Sequence, residues 1–585
     1  MKYIDKIKKG AAIVLLGAFS FTSCVNDLDQ LPIDPNESTA ETVYTTEEGY
    51  NQVVAKIYAA LALTGQEGPA GNGDVGGIDE GSSSFIRNLW NAQVLTTDEA
   101  ICAWGDFGIS QLNQLQYSAA NPFIEGLYYR IYHQVSMANE FLRQSTDEML
   151  ASRGQEDLQD KMKVLRAEVR FLRAYAYSCA VDLFGNVPFV LEEDGLGTYL
   201  PEQIMRKDLF NWLIEELDAI EGEIGTVGTA AYGRVDEGAV AFLKARLYLN
   251  AEVYTGTAMW DKVITETNKV IAGYSLYTGN YQHLFYADNN KADIASGFIF
   301  AVPYDGDQMQ TYGGTTFLAF SATGGGISPA EVGLSGGWGG NRARPQLVGL
   351  FPTGDNRGTA EERVVHSYYT FEKNDSLLTD TVISGFAGTL WNSATYTEKI
   401  WDENEDGSFT FREEKEVEAG GLLENENPAN YTDGYGVMKF RNINSDGANP
   451  ANQDFVTTDF PLFRLADAYL MYAEANINGG GGDANTAVNY INQLRERAFG
   501  DTSGNITLSN LTKDFIIDER GRELFWEGTR RSDLIRFSKY TTNDYLWSWK
   551  GGVSNGAAVS TTKRLFAIPA KDIGANTKLV QNPGY

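Results

Sequence analysis

Cysteine and histidine are both scarce in this sequence, with three of each in 585 residues. One cysteine, Cys24, follows an N-terminal apolar run, so Cys102 and Cys179 allow at most one disulfide and exclude a disulfide framework. No HExxH, GxSxG or P-loop pattern occurs, which excludes several enzyme classes that such motifs define. Glycosidase chemistry needs only two carboxylates, and among 78 acidic residues no pair stands out. The residue content therefore does not exclude an enzyme that uses a pair of carboxylates.

Basic residues are outnumbered, because 47 Lys and Arg stand against 78 Asp and Glu and give a formal net charge of −31. Such a surface repels the phosphates of DNA and RNA, which argues against nucleic acid as a partner. The acidity suits an exposed protein but does not define its ligand. Length alone allows about one to four domains.

The N-terminal segment has the features of an export signal. Four lysines precede an apolar run at residues 11–19, and Thr22 and Ser23 precede Cys24. The run is too short to span a bilayer, and the whole pattern is typical of a bacterial lipoprotein signal. We predict a signal peptide over residues 1–23, acylation of Cys24 and a flexible tether over residues 24–40, with membrane contact through the lipid anchor only. A soluble secreted protein that is cleaved nearby is the alternative.

Apolar residues recur at three- and four-residue spacing in separate blocks, which predicts amphipathic helices. Alanine-rich segments within several blocks allow close helix contacts of the tetratricopeptide kind, although the spacing is too irregular for a simple repeat array. We expect helix pairs that form a partial solenoid. The predicted helices cover residues 46–63, 123–144, 157–183, 201–224, 236–254 and 260–272, with a further pair at 461–475 and 484–498.

Between residues 275 and 455 the sequence is rich in Gly, Asn, Asp and Thr, with short apolar runs such as residues 297–302. This composition predicts loops and short strands. An irregular segment of this length is more often functional than idle. It also contains most of the aromatic residues that lie in loops.

One acidic segment in this region fits the pattern of a calcium-binding loop, D-x-[DN]-x-[DN]-G-x5-E. Phe409-Thr-Phe suggests a strand beside it, and no clear helix precedes it. A structural Ca²⁺ site and a solvated acidic turn in a hairpin therefore both remain open. The candidate ligands are Asp402, Asn404, Asp406, Ser408, Thr410 and Glu413.

Several aromatic residues lie in glycine-rich loops, where a role in the core is harder to assign. Trp338 has two glycines on each side and so has no neighbouring side chains to bury its ring. Trp104, Tyr312 and Arg87 lie in comparable segments. Sugars present apolar C–H faces to aromatic rings and hydroxyls to polar groups, so a glycan site is one interpretation of this set. Packing under the loops is the alternative.

Motifs spread over nearly the whole chain resemble the SusD/RagB family of outer-membrane lipoproteins of Bacteroidetes. The motifs are the lipoprotein start with Asn26-Asp-Leu-Asp, Glu168-Val-Arg-Phe-Leu-Arg-Ala-Tyr-Ala-Tyr with Asp182-Leu-Phe-Gly, Pro461-Leu-Phe-Arg-Leu-Ala-Asp-Ala-Tyr-Leu, and Glu519-Arg-Gly-Arg-Glu-Leu-Phe-Trp-Glu-Gly-Thr-Arg-Arg-Ser-Asp-Leu-Ile-Arg. Segments 249–256 and 541–552 are similar to the starch-binding member of the family in particular.

The resemblance implies a mostly α fold in which four tetratricopeptide-like helix pairs pack against an irregular, loop-rich region with short strands. It implies one glycan-binding domain over residues 41–585, with the ligand face mainly at residues 64–120 and 275–455. The charged segment 522–536 is interpreted as internal salt bridges and helix caps rather than a catalytic cluster.

The family's starch site is an aromatic arc, and its motifs fall on Arg87, Trp104, Tyr312 and Trp338 of this sequence. Phe107 stands where the starch binder has an asparagine, so Asp106 is the candidate for the missing hydrogen bond. The loop from residue 312 to 338 is also two residues longer here.

The resemblance implies a lipid-anchored protein on the exterior of the outer membrane that is not an enzyme. It would capture starch-like α-glucan and deliver it to a SusC-like TonB-dependent transporter. A different oligosaccharide, a surface glycoside hydrolase and a mainly structural lid are the alternatives.

Overall fold

The computed structural model describes residues 40–585 except 66–67, 70–72, 196, 198, 325–326, 359–361, 367–376, 387–389, 393–394, 404–408, 419–426, 430 and 432–434. The strands between residues 362 and 418 are described by their backbone alone. The predicted signal peptide, Cys24 and the tether up to residue 39 lie outside the described residues. Among the described residues, no helix combines the length and the apolar content needed to cross a membrane.

Helices dominate the described part of the chain. The α-helices are α1 Ala40–Val43, α2 Glu47–Ala59, α3 Phe85–Gln93, α4 Ile109–Asn113, α5 Pro122–Gln144, α6 Asp147–Ser152, α7 Gln159–Leu183, α8 Arg206–Ile220, α9 Glu237–Leu249, α10 Ala251–Thr255, α11 Trp260–Gly273, α12 Gly314–Ala322, α13 Pro345–Val348, α14 Leu465–Ile477, α15 Ala484–Phe499, α16 Lys513–Leu524, α17 Arg530–Arg536 and α18 Ala570–Ala575. Short 3₁₀ helices cover Glu156–Leu158, Tyr281–Phe285, Ile294–Gly297, Pro329–Val332, Thr502–Gly504, Leu508–Asn510, Lys550–Gly552 and Thr561–Arg564.

The strands are short and form antiparallel pairs. They are β1 Ala100–Cys102, β2 Val187–Pro188, β3 Gln203–Ile204, β4 Phe298–Val302, β5 Asn341–Ala343, β6 Glu362–His366, β7 Leu377–Phe386, β8 Leu390–Asn392, β9 Thr395–Glu403, β10 Phe409–Glu418, β11 Tyr435–Val437 and β12 Phe460–Arg464. Two four-stranded sheets have the orders β1-β5-β11-β8 and β10-β9-β7-β6, and β12 pairs with β4 and β2 with β3.

The longer helices stack in succession. Helix α5 packs on α7, α7 on α8, α9 on α11, α11 on α14 and α14 on α15. Small buried residues such as Ala176 on α7 and Ala241 on α9 let the backbones approach closely. The mostly helical architecture predicted from the sequence is confirmed, and the succession of packed pairs agrees with a partial solenoid. The tetratricopeptide geometry of each pair stays a prediction.

Side-chain caps and proline define the ends of several helices. The Asn121 side chain accepts hydrogen bonds from the backbone N–H groups of Phe123 and Ile124, and Pro122 occupies the first turn of α5, where its missing N–H costs nothing. Asp483 caps α15 in the same way. At the other end of α15, Gly500 takes a left-handed conformation with φ 77°, which suits glycine.

Two predicted helices are shorter than expected because strands take their first residues. Segment 201–224 becomes helical only at Arg206, since Gln203–Ile204 pairs with Val187–Pro188. Segment 461–475 becomes helical only at Leu465, since its first residues form β12 against β4. The apolar spacing alone could not separate these strand residues from the helices that follow them.

A cluster of buried apolar side chains extends from Tyr44 to Leu579. A second, smaller cluster lies under the loops and includes Phe320, Val332 and Val456. The single domain over residues 41–585 stays a prediction. Cys102 and Cys179 are buried and unpaired, so the one disulfide that the sequence allowed does not form. Burial raises the pKa of each thiol to about 12.

The calcium-like motif falls on the β9–β10 hairpin. Asp402 in β9 pairs in register with Thr410 in β10, and Glu413 follows a register shift in the same strand. Asn404, Asp406 and Ser408 lie outside the described residues. Strands therefore flank the motif where a helix–loop–helix calcium site would have helices, and calcium binding stays a prediction.

Buried ion pairs centred on α16 join distant segments of the chain. Arg357 lies 2.8 Å from Glu519 and 3.0 Å from Glu523, and all three side chains are fully buried. Arg464 and Arg497 also pair with Glu523, at 3.0 and 2.5 Å. Within α17, Arg530 pairs with Asp98 and Arg536 with Glu474. The charged segment 522–536 is therefore structural, as interpreted from the sequence.

These ion pairs predict a dependence of stability on pH. Burial alone would raise the pKa of Glu523, but the guanidinium groups of Arg497 and Arg464 lower it from 4.5 to about 2. A carboxylate with a lowered pKa stabilises the folded state fully above pH 4.5, and this stabilisation is lost as pH falls toward about 2. We expect Glu523→Gln to lower the free energy of unfolding by about 3–5 kcal/mol at neutral pH, because it leaves buried arginines underpaired.

Denaturant unfolding at pH 7 and pH 3 measures both effects. The loss of stability between these two pH values should be smaller in Glu523→Gln than in the wild type. Exposed Glu252, which makes no ion pair among the described side chains, provides the control Glu252→Gln. Equal effects of the two substitutions would contradict the assignment of this stability and its pH dependence to the buried ion pairs of Glu523.

Candidate functional site

Helix α3 carries Arg87 beneath two loops. Arg87 Nη1 donates hydrogen bonds to the carbonyl oxygens of Gly81 at 2.9 Å and Tyr312 at 3.2 Å. Its guanidinium lies 4.5 Å from the ring centroid of Phe317. Burial lowers the Arg87 pKa to about 10, which leaves the group charged at neutral pH. No ion pair to Arg87 occurs within the described part of the chain, so this cation holds the loops through backbone carbonyls.

Trp104 follows strand β1 and lies half-buried beside the loop at residues 336–340. Its Nε1 donates to the carbonyl oxygen of Gly339 at 2.9 Å, and the N–H of Ala103 donates to Gly340. The ring also packs edge-on against Phe317, with centroids 6.1 Å apart. One edge of the indole is therefore fixed by the backbone of the glycine-rich loop.

The glycine-rich loop around Trp338 is joined to the C-terminal end of α12. The backbone N–H groups of Trp338, Gly339 and Gly340 donate to carbonyl oxygens of residues 320, 323 and 321 at 2.8–2.9 Å. A Cβ on Gly337 would lie 2.5 Å from the carbonyl oxygen of Thr323, and one on Gly340 would lie 2.3 Å from the Trp104 ring. The glycines are thus required for close approach of the loop to α12 and Trp104.

Tyr312 enters the site from the residues just before α12. A Cβ on Gly313 would lie 1.9 Å from the Ser84 hydroxyl oxygen, so glycine is needed where this segment crosses the start of α3. The Tyr312 ring remains 37% exposed, and so does Trp338. Neither ring joins the buried apolar clusters.

The rings of Trp104, Trp338 and Tyr312 form one continuous surface. The centroids of Trp104 and Trp338 are 6.4 Å apart with planes at 49°, and those of Trp338 and Tyr312 are 6.1 Å apart at 67°. Phe320 supports Trp338 from below at 5.1 Å. Since successive planes are strongly inclined, the aromatic surface is curved. Hereafter it is called the aromatic arc.

The structure brings Arg87, Trp104, Tyr312 and Trp338 together, with Arg87 beneath the rings, and their role in glycan binding stays a prediction. Asp106 is exposed on the loop after Trp104. Contact of Arg87 and Asp106 with ligand hydroxyls stays a prediction. Phe107 is 67% exposed beside them.

Sequence reasoning missed the aromatic residues that support or continue the arc. Phe317 and Phe320 lie one helical turn apart on α12. Tyr431 donates its hydroxyl to the carbonyl oxygen of Ala322 at 2.5 Å, and its ring packs beside Gly339. Phe455 contacts Tyr312 with ring centroids 5.6 Å apart. The three-residue spacing of Phe317 and Phe320 offered a weak signal for these two, and no sequence signal pointed to Tyr431 or Phe455.

Comparisons with known proteins agree with this fold. The model of the SusD family matches residues 296–585. The starch-binding protein SusD of Bacteroides thetaiotaomicron is 35% identical over 593 residues, which cover 100% of this chain and 99% of that protein. The chain therefore belongs to the SusD family.

Solved structures share the fold at lower identity. The surface glycan-binding protein A from Bacteroides thetaiotaomicron, solved in complex with laminarihexaose, has a TM-score of 0.62 and 19% identity, over 92% of this chain and 99% of that chain. The surface glycan-binding protein A from Bacteroides fluxus also has a TM-score of 0.62, with 20% identity over 92% of this chain and 100% of that chain. The full-length relative that is 35% identical is named for binding rather than catalysis, in line with the prediction that this chain is not an enzyme.

The close contact between Gly340 and Trp104 can be tested directly. We expect Gly340→Ala to displace the indole of Trp104, because the added methyl would overlap its ring, and to lower the free energy of unfolding by about 1–3 kcal/mol. The measurements are the near-ultraviolet circular dichroism of the tryptophans and denaturant unfolding. Gly336→Ala is the control, since a Cβ there meets nothing within 4 Å. Matching spectra and stabilities for the two variants would contradict the proposed contact.

Proposed function

We propose that this chain is a surface lipoprotein that binds starch-like α-glucan on its aromatic arc and delivers it, uncleaved, to a SusC-like TonB-dependent transporter. The observation that carries the proposal is the arc itself: three inclined rings, two of them 37% exposed and outside the buried clusters. The full-length relationship to a protein named for starch binding supports the choice of ligand.

Binding would rest on stacking between sugar rings and aromatic faces. Trp104, Trp338 and Tyr312 would each contact a successive glucose unit through its C–H face. Inclined planes suit a chain that curves, as a helical α-glucan does, better than a flat β-glucan. Asp106 would accept hydrogen bonds from hydroxyl groups, while Arg87 would hold the two loops below the arc.

The charges around the arc favour a neutral ligand. Asp79 and Asp106 are exposed beside it, and Asp454 lies next to Phe455 at its far end. Arg87, which lies beneath the arc, is only 9% exposed. A uronic acid polymer would face these carboxylates with little compensation, whereas neutral sugar hydroxyls would find hydrogen-bond acceptors. The carboxylates therefore serve specificity as well as binding.

Attachment through an acylated Cys24 would hold the protein on the exterior of the outer membrane. The sequence pattern at residues 1–24 supports this placement. A tether over residues 24–40 would leave the folded part free to meet polysaccharide and the transporter. No bond of the glycan would be broken in this process.

A second candidate ligand is a laminarin-type glucan, because a structural neighbour was solved with laminarihexaose. The same loops would then bind a glucan with a different glycosidic linkage. The family assignment would stand, and the ligand assigned to the arc would change.

Affinity electrophoresis of the mature protein in gels with amylopectin, pullulan, laminarin, xylan or alginate tests the proposal. We expect amylopectin to retard the wild type, and Trp338→Ala and Tyr312→Ala to lose most of this retardation while unfolding like the wild type, since both rings lie outside the core. Tyr199, which is 39% exposed and packs beside Gly195, provides the control Tyr199→Ala.

Retardation by laminarin alone would overturn the starch assignment. Retardation by alginate would contradict the inference about charge, and retardation that survives loss of both rings would remove the arc from the site. New reducing ends after incubation with amylopectin would show that the protein hydrolyses the glycan instead of only binding it.

A further inference from the structure

The aromatic surface does not end at Tyr312. The ring of Phe455 contacts Tyr312 with centroids 5.6 Å apart and planes at 39°. This spacing is close to the 6.1 Å between Tyr312 and Trp338. Four rings therefore follow one another in the order Trp104, Trp338, Tyr312 and Phe455.

Packing in the core does not account for Phe455. It is half-buried, and it belongs to neither buried apolar cluster nor to the side chains packed against the larger one. The adjacent Val456, in contrast, is 1% exposed and forms part of the smaller cluster. The chain thus buries the aliphatic residue and leaves the aromatic ring at the surface beside Tyr312.

The backbone around Phe455 is fixed in place. The side-chain oxygen of Asn452 accepts hydrogen bonds from the N–H groups of Asp454 and Phe455, at 3.0 and 2.9 Å. The amide nitrogen of the same side chain donates to the carbonyl oxygen of Gly306 at 2.7 Å. A Cβ on Gly306 would lie 2.4 Å from the carbonyl oxygen of Phe455, so the two segments are in close contact.

A third segment completes this support. The N–H of Ser335 donates to the carbonyl oxygen of Gln453 at 3.0 Å, and its hydroxyl donates to the carboxylate of Asp454. The loop that carries Phe455 is thereby joined to the loop that carries Trp338. A loop held in this way loses little backbone freedom on binding, which favours affinity.

We propose that Phe455 forms an additional sugar-binding subsite, which extends the arc by one unit and makes the protein select longer oligosaccharides. The exposed side chains of Asp307 and Gln308 lie on the loop next to Gly306 and would accept or donate hydrogen bonds to the hydroxyls of that unit. This inference rests on the proposed function, because it assumes that the arc binds a neutral glucan.

Isothermal titration with maltotriose and maltoheptaose tests the subsite. The short ligand would fill the three rings of the arc, and the long ligand would also reach Phe455. We expect Phe455→Ala to weaken maltoheptaose binding by about five- to tenfold, the scale of one stacking contact, and to leave maltotriose binding unchanged. Phe455→Tyr retains a ring of the same shape and should keep the affinity of the wild type for both ligands. Thermal unfolding of each variant checks that the loop remains folded.

An unchanged affinity of Phe455→Ala for maltoheptaose would overturn the subsite. An equal loss for both ligands would overturn it too, because Phe455 would then act by positioning Tyr312. The proposed function fails in a different way: wild-type protein would bind neither ligand, or Trp338→Ala would bind both as well as the wild type.

Discussion

The aromatic arc depends on the carbonyl groups at the C-terminal end of one buried helix. The last carbonyls of any α-helix lack partners within the helix. At the end of α12, residues 320, 321 and 323 direct theirs to the N–H groups of Trp338, Gly340 and Gly339. The same helix places Phe320 under Trp338 and Phe317 under Trp104. One element therefore orients two of the three rings and supports both from below.

The rest of the protein keeps α12 and its neighbours in position through polar groups as much as through apolar packing. Arg87 of α3 donates to the carbonyl oxygen of Gly81 in the loop before α3 and to that of Tyr312 in the segment before α12. Farther away, Glu519 and Glu523 of α16 gather arginines from segments up to 166 residues distant in sequence. Such pairs add little net stability over well-packed apolar groups, but a missing partner is costly. The contribution of these buried ion pairs is to specify which segments of the chain pack together.

The sequence was informative where local chemistry decides the structure. Long helices followed from apolar spacing and from caps such as Asn121, and Trp338 could be recognised because flanking glycines cannot bury a ring. The sequence was less informative where distant segments meet. The exposure of Phe455 depends on hydrogen bonds from Asn452 to residue 306 and on the loop at residue 335, and no local pattern encodes them. Pro461–Arg464 was misread as helical because its pairing partner, β4, lies more than 150 residues away.

The glycines at residues 336–340 have a consequence for how this protein can change over time. The backbone of these glycines must keep its contacts with α12. The exposed rings of Trp338 and Tyr312 are less constrained, because they lie outside the buried clusters. Exchanges of such surface rings cost little folding stability. The exposed rings can therefore be exchanged while the backbone that carries them keeps its contacts. A common architecture at 19–20% identity, with TM-scores of 0.62, shows that this fold tolerates extensive substitution.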